Sequence, residues 1–265
     1  MALTCTILGC GSSAGVPRVG TGWGACDPLN PKNRRRRCSV LIEQGDAAGR
    51  RTNVLIDTSP DLRAQLLDAE VKSLDGVLLT HDHADHTHGI DDLRPLALHL
   101  GRRVPVYFDA ATAVTIRARF EYCFAMPPGS EYPPFLSEHR IAPAKPTTIA
   151  GEGGALTVLP FAQAHGDGRT LGFRIGGLAY SCDVSGLPDE SLAALADLDV
   201  WILDALRYRA HPSHFSVEDA INWVARVKPR RAFLTNLHTD LDYETLRRQL
   251  PAPIEPAFDG LKIEF

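Results

Sequence analysis

The sequence predicts one α/β unit spanning residues 1–265. Short apolar runs bounded by turn residues recur along the chain and alternate with stretches of helical periodicity. Several of these runs end directly in a histidine or an aspartate, so the strands deliver polar chemistry at their ends. A length of 265 residues exceeds the usual single domain, yet some α/β folds use it as one unit.

Composition narrows the classes further. Hydrophobic residues at 44% and charged residues at 23% are an ordinary balance that buries a core without disulfides. A net charge of −4 argues against broad electrostatic binding, so no stable nucleic-acid partner is expected. The cysteines at 5, 10, 26, 38, 123 and 182 have no tight repeated spacing. No apolar N-terminal segment resembles a secretory leader, and no run approaches the length of about 18 apolar residues that spans a bilayer. Reduced thiols, a cytoplasmic location and no membrane insertion are the expectation.

In chain order, residues 3–8 form a strand that runs into a glycine-rich turn, Gly9 to Gly15. Its amides can approach an anion, or the turn merely redirects the chain. A long irregular segment from Pro17 contains Arg34–Arg37. That run reads as a solvated stretch pinned by carboxylates, or as the source of one guanidinium for a phosphate. Residues 38–43 and 53–57 form a strand pair whose last residue is Asp57, and Ser59 and Pro60 open a helix carrying Leu62, Leu66 and Leu67. Val77–Leu79 is a buried strand that ends in the histidine-rich stretch. Helix follows over 90–100, strand over 104–108 and helix over 110–122. The proline-rich segment 127–146 is a candidate lid or an ordinary connection. A strand at 156–160 leads to His165, and a hairpin of 171–175 with 178–181 turns at Gly176-Gly177 and leads to Asp183. Val200–Leu203 ends in Asp204, with Arg207, His211 and His214 in the following loop. Ser216 caps a helix over 217–227, and Arg231–Leu234 is the last buried strand, followed by Asn236 and His238.

The stretch Asp75–Arg94 carries the chemistry. His81, His83, Asp85, His86 and His88 arrive within a span of eight positions just past an apolar strand. Unpartnered, each would carry a desolvation cost, and a divalent metal is the partner that suits imidazole with carboxylate. The order H-x-H-x-D-H lets His81 and His83 converge on one ion while Asp85 and His86 face a second. Two ions about 3.5–4 Å apart clamp a hydroxide and the oxygens of an in-line displacement. The bland alternative is a solvated, histidine-rich loop.

Thr80–His86, T-H-D-H-A-D-H, resembles the signature of metallo-β-lactamase fold hydrolases, which include tRNase Z and the PhnP-type cyclic phosphodiesterases. Similarity to the PhnP-type branch extends over G-C-G-S-S-A-G-V-P at 9–17, R-C-S at 37–39 and L-I-D-T-S-P-D-L-R at 55–63. It continues over S-C-D at 181–183, S-H-F-S at 213–216 and F-D-G at 258–260. The resemblance implies a four-layer αββα sandwich with two divalent ions, Zn2+ or alternatively Mn2+. It implies His81, His83 and His165 on one ion, Asp85, His86 and His238 on the other, and Asp183 bridging. Asp57 is then a carboxylate that accepts a hydrogen bond from a ligand histidine, and Asp85 also orients the hydroxide. His214 contacts the scissile phosphate and protonates the leaving oxygen, with His211 and Arg207 as substrate neighbours.

Asn236 stands where close PhnP-type relatives carry the last histidine, displacing that assignment to His238, since asparagine is a poor zinc ligand. With only Cys26 and Cys38 at comparable places, no structural zinc is predicted. The expected activity is a dinuclear metal phosphodiesterase acting on small cyclic phosphodiesters or nucleotides. The alternatives are a metal-dependent acyl hydrolase (lactone, thioester or β-lactam) and a non-catalytic carrier resembling PqqB. Homodimerisation stays open.

Overall fold

In the computed structural model, residues 2–126 and 128–265 are described. Strands β1 (Ala2–Gly9), β2 (Ser39–Gly45) and β3 (Arg51–Ile56) form an antiparallel meander. Helix α1 (Leu62–Asp68) crosses to β4 (Gly76–Leu78), parallel to β3. The short α2 (Ala84–Thr87) and α3 (Arg94–Leu100) lead to β5 (Val104–Phe108), and α4 (Ala110–Phe124) leads to the edge strand β6 (Leu136–Arg140).

A second antiparallel run follows: β7 (Thr147–Gly151), β8 (Gly154–His165), β9 (Gly168–Ile175) and β10 (Leu178–Ser181). Parallel strands β11 (Val200–Asp204), β12 (Arg231–Thr235) and β13 (Ile254–Pro256) continue this sheet, with α5 (Val217–Val227) and α6 (Tyr243–Gln249) as crossovers. Strand β14 (Lys262–Glu264) returns to pair with β1. The sheet orders are β14-β1-β2-β3-β4-β5-β6 and β13-β12-β11-β10-β9-β8-β7.

Period-two alternation decides the layers. Val40, Ile42, Val54, Ile56 and Leu78 face Val158, Phe173, Tyr180, Ile202 and Phe233 across the space between the sheets. Their neighbours point the other way: Leu41, Leu55, Val77 and Leu79 pack under Leu62, Leu66, Ile90 and Ile116. On the far side Trp201, Leu203, Ala232 and Leu234 pack under Val217, Ala220, Val224 and Leu246. Each fully buried side chain of this size gains about 1.5–3 kcal/mol, so both faces of both sheets are committed. The result is the αββα sandwich. A capping box between Ser216 and Asp219 starts α5, which turns Val217, Ala220 and Val224 inward. Among the described residues no helix is long and apolar enough to cross a membrane.

Several local expectations change. Within the proline-rich stretch, Leu136–Arg140 pairs with β5 as an edge strand, so that part is not a lid; Pro127 lies outside the described residues. The helix expected at Pro60 begins at Leu62, because Ser59 Oγ accepts from Asp61 N rather than capping the helix itself. Residues 90–100 divide into a 3-10 turn over Ile90–Leu93 and α3. Strand β8 runs on past Pro160 to His165, held by its pairing with β9.

The segment after Pro17 is clasped to the body. Arg35, only 2% exposed, donates to the carbonyls of His238 (3.3 Å) and Leu241 (2.7 Å) and to Asn33 Oδ1 (3.2 Å). Arg36 pairs with Asp68 and Arg37 with Asp61. The arginine run therefore ties the loop down. The amides of Gly11, Ser12 and Gly15 are spent on the carbonyls of Arg36, Leu237 and Ser12.

Candidate metal centre

The chain segments leaving β4, β8, β10, β11 and β12 meet at one edge of the sandwich. Asp57, Asp183 and Asn236 each sit at or just past a strand end with positive φ (65°, 53° and 62°). Aspartate and asparagine tolerate this left-handed backbone better than other side chains. The histidine loop lies hard against the turn at Ser59. A Cβ on Gly89 would come within 2.0 Å of the Ser59 carbonyl oxygen, so only glycine permits that approach.

Ligand-type atoms of His81, His83, His165 and Asp183 lie within 4.8 Å of one another. His81 Nε2 and His165 Nε2 are each 3.6 Å from Asp183 Oδ2. The other ring nitrogens are already used. His165 Nδ1 donates to the Ser213 carbonyl (2.6 Å), and His86 Nδ1 donates to Asp57 Oδ2 (2.7 Å). Thr80 Oγ1 donates to Asp57, so His81 Nδ1 is the donor toward Thr80 Oγ1 (2.9 Å). That network places a proton on Nδ1 of all three rings and, at the neutral His81 and His165, leaves Nε2 with a lone pair facing the centre.

His81 Nε2 is buried and has no hydrogen-bond partner, an orphan that a cation would satisfy. Burial, with help from the His86 charge, holds the His81 pKa well below its ordinary value despite Asp183, so its lone pair is free. Burial likewise lowers His165. Burial works against a carboxylate at Asp183, but the charge and hydrogen bond of His86 outweigh it and hold it well below the ordinary range. The donor set fits a divalent cation.

The second pole is thinner. His86 Nε2 lies 3.3 Å from Asp183 Oδ1 and 3.5 Å from Asp85 Oδ2. Burial opposes a charge on His86, yet Asp183, Asp57 and Asp85 raise its pKa well above the ordinary value. The structure does not bring His238 to this pole. Its Nε2 is taken by Arg18 Nη1 at 2.6 Å and its Nδ1 by Asp240 Oδ1 at 2.8 Å, so neither nitrogen remains for a metal. Asn236 stands there instead, donating through Nδ2 to Asp183 Oδ1 at 3.0 Å.

His214 approaches from the other side, its Nε2 3.9 Å from Asp183 Oδ2. Its Nδ1 donates to Asp204 Oδ2 at 2.8 Å, and the same oxygen accepts from Val184 N. Burial would lower the His214 pKa, but the hydrogen bond and charge of Asp204 prevail and raise it. A cavity of about 350 Å³ opens over these groups and is lined also by Ser12, Arg18, Arg207 and His211. Arg207 spends Nε and Nη2 on the carbonyls of Arg209 and Ala210, which braces its own loop. His211 Nδ1 is paired with Ser213, and burial lowers its pKa. Sequence reasoning gave no task to Asp204 or Arg18. A signal existed for Asp204, the last residue of a buried strand; none marked Arg18.

A family model described as a beta-lactamase superfamily domain matches residues 52–236. A solved diphosphatase from the PhnP family superposes with a TM-score of 0.89 at 36% identity, covering 100% of this chain and 98% of that one. The chain belongs to the beta-lactamase superfamily, on its PhnP branch. Its fold is the metallo-β-lactamase fold.

Two curated relatives are longer proteins. An octanoyltransferase of Porphyromonas gingivalis is 37% identical over 265 residues, 98% of this chain and 51% of that protein. A ribonuclease of Thermus thermophilus is 31% identical over 144 residues, 48% of this chain and 31% of that protein. The chain thus spans about half or less of the length of the curated relatives it matches.

Proposed function

We propose that the protein is a metal-dependent phosphoric ester hydrolase that cleaves small phosphodiesters or nucleotides. The observation that carries this reading is the Asp204–His214 pair, whose free imidazole nitrogen faces the same carboxylate as the metal-type cluster. His81, His83, His165 and Asp183 would hold a first cation, and Asp85, His86 and Asp183 a second, more lightly bound one. Bound there, a divalent cation such as zinc or manganese supplies Lewis-acid stabilisation of phosphoryl charge and acidifies water.

The chain's own residues do the rest. Thr80, Asp57 and the Ser213 carbonyl lock the imidazoles, so the donor atoms need no reorganisation when substrate arrives. Asp85 sits at the mouth of the cluster, where it can orient the attacking water. His214, held by Asp204, delivers a proton to the departing oxygen, a role for an imidazole within reach of the reacting group. The names of two relatives, a diphosphatase and a ribonuclease, are consistent with cleavage at phosphorus. An acyl reading rests on the octanoyltransferase name, and 51% coverage leaves nearly half of that protein outside the match.

Metal analysis of the purified protein combined with a panel of phosphodiesters and acyl esters tests the proposal. One to two equivalents of metal, phosphodiester turnover, and a loss of about 10²–10⁴-fold on His214→Ala are expected. Turnover of acyl esters only, indifferent to His214→Ala, would overturn it.

A further inference from the structure

The cavity over the histidine cluster is lined by polar groups that the chemistry above leaves unused. Arg18 is one of them, with Nη1 2.6 Å from His238 Nε2. A guanidinium only donates, so His238 accepts on Nε2, carries its proton on Nδ1 and donates to Asp240 Oδ1 at 2.8 Å. Arg35 pins the His238 carbonyl from behind at 3.3 Å. An aspartate and a histidine thus spend their polar atoms on aiming one arginine, whose charge is left without a direct carboxylate partner among the described residues.

A second observation points the same way. Ser12 lies on the wall of the same cavity, is 2% exposed, and its Oγ has no hydrogen-bond partner. A buried hydroxyl left unpaired costs about 1–3 kcal/mol until a ligand satisfies it. A guanidinium fork and an orphaned hydroxyl beside one cavity are the complement of a phosphate-type anion. The scissile group already has its place at the Asp183 cluster.

We infer that Arg18 and Ser12 form a subsite for a second, non-scissile phosphoryl group, with His238 and Asp240 as positioning residues for Arg18. The inference rests on the phosphoric ester reading and narrows it: the cavity selects substrates carrying two linked phosphoryl groups, such as nucleoside diphosphates, over simple diesters.

Calorimetry on the metal-replete protein compares methylenediphosphonate with methylphosphonate. Arg18→Ala is expected to weaken the diphosphonate by about 10- to 100-fold and the monophosphonate by less than about threefold, as loss of a charged hydrogen-bonding group implies. Ser12→Ala, which removes one hydroxyl and no backbone contact, is expected to weaken the diphosphonate by about three- to tenfold. In kinetics, the preference for a nucleoside diphosphate over bis(p-nitrophenyl) phosphate falls by the same factor in Arg18→Ala. His238→Ala raises KM for the diphosphate with little change in kcat, and His238→Gln, which keeps an acceptor for Arg18, restores it. Equal weakening of both phosphonates, or unchanged diphosphonate affinity in Arg18→Ala and Ser12→Ala, would overturn the subsite. Absence of any phosphoric ester turnover by the unaltered protein would instead strike the reading beneath it, while the binding comparison would still decide the role of Arg18.

Discussion

Asp204→Asn isolates one charge at the proposed proton donor. Asp204 is fully buried, and its Oδ2 accepts from both Val184 N and His214 Nδ1 while Oδ1 has no partner. Asparagine is close to isosteric. Its amide oxygen can take over both donors, and its amide nitrogen falls where an atom without a partner already stood. Geometry is kept and the negative charge is lost. A hydrogen bond to a charged group contributes about 1.5–3 kcal/mol against about 1 for a neutral one, so His214⁺ loses about 1–2 kcal/mol of support. That corresponds to a factor of about 5–30 in rate for any step that needs the imidazolium. The assay compares two esters of one nucleotide, a methyl ester and a p-nitrophenyl ester. Methoxide needs a proton to leave and p-nitrophenolate does not. The expected result is a fall in kcat of about 5–30-fold on the methyl ester and less than about threefold on the p-nitrophenyl ester. An equal fall on both, or none on either, would refute His214 as proton donor.

Two further outcomes follow from the cluster and its supports. Chelation of the metal-replete protein should lower the melting temperature by about 10 °C. Saturation at about 1,000 times Kd stabilises by about 4 kcal/mol, and each kcal/mol moves Tm by about 2–4 °C at this size. His81→Ala should abolish that chelator-sensitive shift and His238→Ala should keep it; the reverse pattern would return His238 to the ligand set. Asp242, which caps α6, is pushed up by burial, the largest single influence, but the hydrogen bonds from Thr245 N, Asn33 Nδ2 and Asp27 N together outweigh it and hold it at about 2. Because the folded state depresses this pKa, its contribution is complete above about pH 4 and is lost as pH falls toward 2. Its partial exposure to solvent discounts the effect to about 1 kcal/mol. Urea midpoints of the unaltered protein and Asp242→Asn should differ at pH 7 and converge near pH 2, and a pH-independent difference would contradict this.

Much of the fold was legible because its determinants are local. Val40–Ile42, Val54–Ile56 and Ile202–Leu203 alternate between two apolar environments, and a strand buried on both faces shows as a short continuous apolar run. Strand β6 escaped notice because only Leu136 of its five residues is buried, an edge position that imposes almost no pattern. Strands β13 and β14 are three residues each, too short to show a period. The histidine loop was legible for the same local reason, with His81, His83, Asp85 and His86 arriving together after one strand.

The sequence alone determined the alternating strands, the donor types and the clustering of donors at strand ends, since side-chain chemistry and a two-residue period are properties of neighbours in the chain. Only the tertiary structure decided which nitrogen of each imidazole was free. Arg18 and His238 lie 220 positions apart, and their contact removes His238 from the metal cluster and turns an unremarked arginine into the cavity. A hydrogen bond saturates its acceptor, so a ligand assignment depends on who else has reached that atom, and that is settled when the two sheets close on each other.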